Sequence, residues 1–216
     1  MEKKVNKFLI TNITLSSIAF LGFLTLMILV LCDYDLKIDQ FNVFVANHRS
    51  AFWTSFFKIF THLGSFYTLA ILSLVGALLI CFVMKNKRLG LFYASSFAFA
   101  CVISAIIKRI VRRIRPEHLM IIKQGGFSFP SGHSIMTFVF FALAIHCVCK
   151  FIKNKPLKIT LMSLFSFLIL LVGFSRIYLG VHYLSDVIAG FLISYVIVAT
   201  FLMIYNSKCF KFLKDK

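Results

Sequence analysis

Residues 175–186 read SRIYLGVHYLSD, a polar interval between two long apolar runs. Gly180 lets the chain change direction there, and the apolar run beyond it is expected to be helical from about His182. On such a helix His182 and Asp186 stand one turn apart on one face, with Cβ atoms roughly 5–6 Å apart. A carboxylate in that position can accept the Nδ1–H of the imidazole, fix its tautomer and leave Nε2 free as base or nucleophile. The plainer reading is a structural hydrogen bond at a helix end. Four-residue spacing also suits two metal ligands, but the segment offers no third ligand and its neighbouring cations would repel a metal.

The setting of this interval decides the fold class. Of 216 residues, 60% are hydrophobic and 27 are Phe, and the mean hydropathy is +0.93. A soluble domain of this size is not so apolar, whereas a polytopic helical membrane protein is. Spanning segments must satisfy their backbone groups internally, which selects helices, and the short alternating segments of a β-barrel are missing. The expected architecture is all-α, a bundle of six transmembrane helices at about 8–31, 66–84, 89–107, from the PSGH turn to 149, 159–174 and 182–205. Residues 41–65, aromatic with scattered polar positions, are expected to lie as a helix in the membrane interface. The whole chain, 1–216, reads as one integral membrane domain with outer-face segments 32–65, 108–133 and 175–186. The first apolar run is too long for a secretory signal core and reads as a retained helix.

The formal charge of +17 would suit a nucleic-acid binder, but the basic residues gather at the ends of apolar runs. That placement indicates membrane topology and anionic lipid, with no nucleic-acid partner. Six helices put both termini on one side, and 14 of the 24 Lys and Arg fall there, at 3–7, 85–88, 150–158 and 208–216. The positive-inside rule then places both termini in the cytoplasm, in a plasma membrane, and the polar segments outside. Of the ten remaining cations, six lie between Lys108 and Lys123, where topology disfavours them. Binding an anion would offset that cost. The six cysteines have no zinc spacing and read as small buried apolar residues.

Two further segments belong with SRIYLGVHYLSD. In KRIVRRIRP, a continuing helix would align Lys108, Arg112 and Arg115 on one stripe. Arg109, Arg112 and Arg113 read better as a collar for lipid headgroups. In FPSGHS, Ser131 and Gly132 make a tight turn at a helix start, where free N–H groups attract anions and glycine admits a ligand. His133 follows in the first turn. The bland alternative is a helix cap beside an exposed histidine.

The spacing K-x6-R-P (Lys108, Arg115, Pro116), then P-S-G-H (Pro130 to His133), then S-R-x5-H-x3-D (Ser175, Arg176, His182, Asp186) resembles the type-2 phosphatidic acid phosphatase superfamily. All three motifs occur in family order. The resemblance implies that His182 attacks phosphorus to form a phosphohistidine, that Asp186 orients His182, and that His133 protonates the leaving oxygen and then activates water. It implies that Lys108, Arg115, Arg176, Ser131 and the Gly132 backbone hold the phosphoryl oxygens, with no metal and no cofactor. The expected substrate is a lipid phosphate or diphosphate met at the outer face, with undecaprenyl pyrophosphate first and phosphatidylglycerophosphate second. Phe127, Phe129 and residues 41–65 are candidates to guide its tail, although aromatic anchoring in the interface accounts for most of them. A rival of another class is a non-catalytic protein that binds or translocates a lipid phosphate. It would explain the cations but not the joint presence of His182, Asp186 and His133. No oligomeric state follows from the sequence.

Overall fold

A computed structural model describes residues 2–206, with side chains from Leu9 onward. The lysines at 208–216 and Cys209, and the side chains of Lys3, Lys4 and Lys7, lie outside that description. Eight α-helices make up the described chain: α1 (Glu2–Leu31), α2 (Phe41–Asn47), α3 (Ala51–Phe60), α4 (Phe66–Phe82), α5 (Lys87–Val111), α6 (Gly132–Phe151), α7 (Lys155–Tyr178) and α8 (Leu184–Asn206). No strand occurs among the described residues. In α1 and α5 to α8, five stretches are long and apolar enough to cross a membrane; α4 makes a sixth only when joined to residues 51–64 across a 44° bend. The chain is therefore a multi-pass membrane protein.

The packing follows from which faces are apolar on both sides. α6 meets α4, α5, α7 and α8, while α1 lies against α8. Phe92, Ile135, Val139, Leu143, Ile193 and Ile197 fill the space between them. Large apolar side chains such as Ile10, Leu74, Phe82, Leu91 and Leu170 point outward. In water such a surface would aggregate; in lipid it costs nothing and leaves close packing to hold the helices together.

Residues 41–65 do not form the single interface helix expected. The chain breaks after Asn47, restarts under a Ser50 cap that accepts from Trp53 N–H, and closes with a tight turn at Thr61–Gly64. The polar residues that interrupted its apolar pattern are the cause, because they turn inward to hydrogen-bond residues 176–185. Gly64 belongs to this break. A Cβ there would collide with Val172 and come within 2.9 Å of the Thr137 hydroxyl, so only glycine lets the turn press onto α6 and α7.

Three helix boundaries also differ from expectation, and at α8 the cause is a cap that comes from elsewhere. α5 ends at Val111, with Arg112 in the left-handed region (φ 52°), so the Lys108–Arg112–Arg115 stripe does not form. α7 continues to Tyr178 and carries Ser175 and Arg176 in its last turn. α8 starts at Leu184 rather than His182, because its first N–H groups are taken by distant side chains: Leu184 N–H donates to Asn42 Oδ1 (3.0 Å) and Ser185 N–H to Asp39 Oδ1 (2.9 Å). Such borrowed caps satisfy donors that a helix start leaves orphaned.

Candidate active site

The ends of α5, α6, α7 and α8 that meet on one side of the bundle enclose a cavity of about 400 Å³. Lys108, Arg115, Gly132, His133, Arg176 and His182 all line it. Three segments far apart in sequence thus deliver six of the eight expected residues to one space. Asp186 and Ser131 stand behind the wall.

His182 lies in the turn between α7 and α8 and is 2% exposed. Gly180 makes the turn: its φ is +70°, and a Cβ would run into the Leu119 carbonyl. Asn42 holds the turn from outside by donating Nδ2–H to the His182 carbonyl at 2.8 Å. Although His182 precedes the helix, its Nδ1 stays 3.4 Å from Asp186 Oδ2. The same nitrogen is 3.4 Å from Ser128 Oγ, and Ser128 donates a short hydrogen bond to Asp186 Oδ2. The other ring nitrogen, Nε2, faces Arg115 Nη1 at 3.2 Å. A guanidinium can only donate, so Nε2 carries the lone pair and Nδ1 the proton. That is the tautomer expected from the sequence. Burial, then Lys108, Arg115 and Arg176, holds this imidazole well below the usual histidine range; a hydrogen bond to the Ser128 backbone acts weakly the other way.

The cations are held rather than free. Lys108 Nζ donates to the carbonyls of Phe127 (2.8 Å) and Ser128 (3.1 Å). Arg115 reaches the site along the extended segment after Arg112 and donates to Gly125, Gly126, Phe127 and Val181 carbonyls. Burial lowers its pKa, opposed by Asp186. Arg176, 1% exposed, donates to Thr61 Oγ1 (2.7 Å) and Gln124 Oε1 (3.0 Å). Its buried Nε has no acceptor among the described residues.

Ser131 is fully buried at the start of α6. Its hydroxyl caps α6, accepting from Ser134 N–H (3.3 Å) and Ser134 Oγ (2.8 Å), and its own N–H donates to the Asp186 carbonyl. The cap uses the lone pairs of that hydroxyl, and the first-turn N–H groups of Gly132 and His133 are among those a helix start leaves without intrahelical partners. Phe127 lines the cavity, but Phe129 is fully buried and stacks on Phe23 at 6.0 Å, so it is core and guides no tail.

Arg113 is the largest surprise. It is no headgroup collar: Nη1 meets Asp186 Oδ1 and Nη2 meets Asp39 Oδ2, both at 2.7 Å. Burial opposes its charge, but the two carboxylates outweigh that and raise its pKa. Ser128, Asp39, Asn42, Thr61 and Gln124 were also missed as site residues. Only Asp39 had a signal, as one of seven acids in a chain with 24 cations. Among the described residues, no three His, Cys, Asp or Glu side chains converge as a metal site would require.

A family model described as the PAP2 superfamily matches residues 89–209. Among curated proteins, the chain is 30% identical over 136 residues to phosphatidylglycerophosphatase B of Bacillus subtilis (strain 168), covering 61% of this chain and 64% of that one. It is 28% identical over 125 residues to undecaprenyl-diphosphatase of Sulfolobus acidocaldarius, covering 55% and 56%. The chain thus spans less than two thirds of either relative's length. Among solved structures, the fold is similar to a transmembrane PAP2-type phosphatidylglycerolphosphate phosphatase from Bacillus subtilis, with a TM-score of 0.78 and 23% identity over 89% of this chain and 98% of that one. It is also similar to Aquifex aeolicus LpxE, with a TM-score of 0.60 and 24% identity over 76% and 93%.

Proposed function

The chain belongs to the PAP2 superfamily, and from that premise we propose that it is a membrane phosphatase acting on a lipid phosphate, with phosphatidylglycerophosphate as its substrate. The observation that carries the reading is the shared cavity. It presents the lone pair of His182 Nε2 beside three basic side chains, a helix start and a second histidine. A phosphate dianion entering it would draw the Arg115 donor off Nε2 and onto its own oxygens. His182 Nε2 then attacks phosphorus, the P–N bond forms, and the P–O bond to the lipid breaks. His133, which takes up a proton from solvent as the dianion binds beside it, gives that proton to the departing oxygen. Having lost it, His133 takes a proton from water, the water oxygen attacks phosphorus, and the P–N bond breaks to release inorganic phosphate. Lys108, Arg115, Arg176 and the N–H groups of Gly132 and His133 stabilise the charge on the equatorial oxygens at each step. Asp186 keeps the proton of His182 on Nδ1. The cations fill the role a metal would take, so the reaction proceeds without one.

Two observations favour a lipid and this order of substrates. An apolar groove of about 340 Å³ between α4 and α5 shares Phe66 and Cys101 with the cavity, as a tail adjoining a headgroup would need. The relative named for phosphatidylglycerophosphate is more similar, over more residues, than the one named for undecaprenyl diphosphate, which reverses the order expected from the sequence. The diphosphate remains the second reading.

Purified protein in detergent should release phosphate from phosphatidylglycerophosphate in the presence of EDTA, and faster than from undecaprenyl diphosphate. His182→Ala should abolish release, and His133→Ala should remove most of it, since acid–base assistance is worth about 10²–10⁴-fold. Undiminished turnover in His182→Ala would refute the nucleophile. Loss of activity in EDTA, restored by a divalent ion, would refute the metal-free chemistry.

The site faces outside in this reading. Cys32, exposed just past the end of α1 on the cavity side, and Cys149, exposed near the end of α6 on the other side, already mark the two faces. An impermeant maleimide applied to right-side-out membrane vesicles should modify Cys32 and spare Cys149 until the membrane is permeabilised. The reverse pattern would invert the topology.

A further inference from the structure

We propose that Asp39 and Arg113 are positioning residues for this reaction, fixing from outside the cavity where the Asp186 carboxylate points and how much of its charge reaches His182. The inference rests on His182 being the nucleophile. Neither residue lines the cavity, so neither touches substrate.

A carboxylate rotates easily about its last bond, whose torsional profile is broad. To present one oxygen to His182, the other must be pinned. Asp186, fully buried, has that arrangement. Its Oδ2 receives Ser128 Oγ–H and Tyr183 N–H and faces His182 Nδ1. Its Oδ1 receives Arg113 Nη1 at 2.7 Å. Arg113 is itself immobilised on three sides. Nη1 also donates to Ser185 Oγ (2.7 Å), Nη2 donates to Asp39 (2.7 Å), and the guanidinium lies 3.9 Å from the centre of the Tyr183 ring. Asp39 closes the loop by accepting both the N–H and the hydroxyl of Ser185, at 2.9 and 2.8 Å. Aspartate, arginine and serine thus form a closed frame behind the carboxylate.

The frame also divides charge. Arg113 serves two carboxylates, so Asp39 draws part of its attraction away from Asp186. The charged and titratable groups facing His182 from the cavity are Lys108, Arg115, Arg176 and His133; Asp186 is the acid beside it. Asp186 alone offsets those cations, so its share of Arg113 matters. Replacing Asp39 by the isosteric amide keeps the acceptor for Ser185 N–H but leaves Arg113 wholly to Asp186. Replacing Arg113 by lysine keeps the charge but loses the fork that grips both acids.

The test uses the full chain in detergent micelles, dioctanoyl phosphatidic acid as substrate, and the variants Asp39→Asn, Arg113→Lys and both together. Each single change should lower kcat by about 10–100-fold, by analogy with the cost of losing an outer hydrogen-bond partner behind a metal-ligating histidine. KM should stay within about twofold, and the double variant should be no worse than the worse single one, because the two act as a unit. Unchanged kcat with a lower melting temperature would reduce the frame to a structural ion pair and overturn the proposal. A rise in KM alone would do the same. If Arg113→Lys does not fold, Asp39→Asn decides the matter by itself. The nitrogen-15 resonance of His182 Nδ1, assigned with His182→Gln, gives a readout that needs no turnover. It should move in both single variants even if wild-type protein cleaves no lipid phosphate, a result that would sink the phosphatase reading instead. A resonance unmoved in both overturns the positioning role.

Discussion

Arg176 and Arg88 occupy opposite ends of the same bundle, and what holds each one separates a working end from a bearing end. Arg176, in the last turn of α7, is buried between the side-chain acceptors Thr61 and Gln124 and lines the cavity. Arg88, in the first turn of α5, donates to the Tyr205 carbonyl at 2.6 Å and lies 4.9 Å from the Tyr205 ring centre. Lys150 joins it by donating to the Tyr205 hydroxyl. Cations near the end of α8 satisfy its last carbonyls and suit the negative end of its dipole. In the proposed reaction the first set meets an anion that arrives, whereas the second neutralises partial charge that is always there. Equal counts of basic residues therefore say little until their acceptors are known.

Exchanging arginine for lysine at each end tests that difference most strongly. Lysine keeps the charge at either place but offers a point rather than a fork. Arg176→Lys should cost about 100-fold in kcat/KM, close to 2.7 kcal/mol of lost stabilisation where phosphoryl charge builds up. Arg88→Lys should stay within about twofold in activity and show its effect in the melting temperature. Equal losses at both ends would break the comparison. A neutral Arg176→Lys would remove that residue from phosphate binding.

The working end was legible in the sequence where its chemistry is local. Lys108, Arg115, His133, Arg176 and His182 sit in three short motifs at helix ends, and the alternation of apolar runs with polar intervals brings those ends to one side. What could not be read is the support behind them. Asp39 meets Arg113 across 74 residues and Ser185 across 146, while Asn42 caps α8 across 142. No periodicity links such partners. Once their side chains are the caps, the start of α8 moves from His182 to Leu184, and the break in residues 41–65 follows from the same contacts. Ser131 has a second task that the motif did not show: its hydroxyl caps α6 through its lone pairs, a use separate from donating its O–H.

Crowding of charge at the working end leaves a smaller trace in the pH dependence of stability. His182 is buried, and burial, with Lys108, Arg115 and Arg176 adding to it, keeps its imidazole well below the usual range. In the unfolded chain the same ring titrates near 6.5. As pH falls past that value the unfolded state takes up a proton that the folded state refuses. The contribution of His182 is therefore complete above about pH 6.5 and is lost progressively below it, until the folded pKa is reached. The loss can amount to about 1.4 kcal/mol per pH unit. The melting temperature in detergent should then drop between pH 7 and pH 5, and His182→Gln, which has no proton to accept, should drop less steeply over the same interval. Parallel curves would mean that the folded ring takes up a proton as readily as the unfolded one. It would then lose, below about pH 6.5, the lone pair on Nε2 that attack on phosphorus requires.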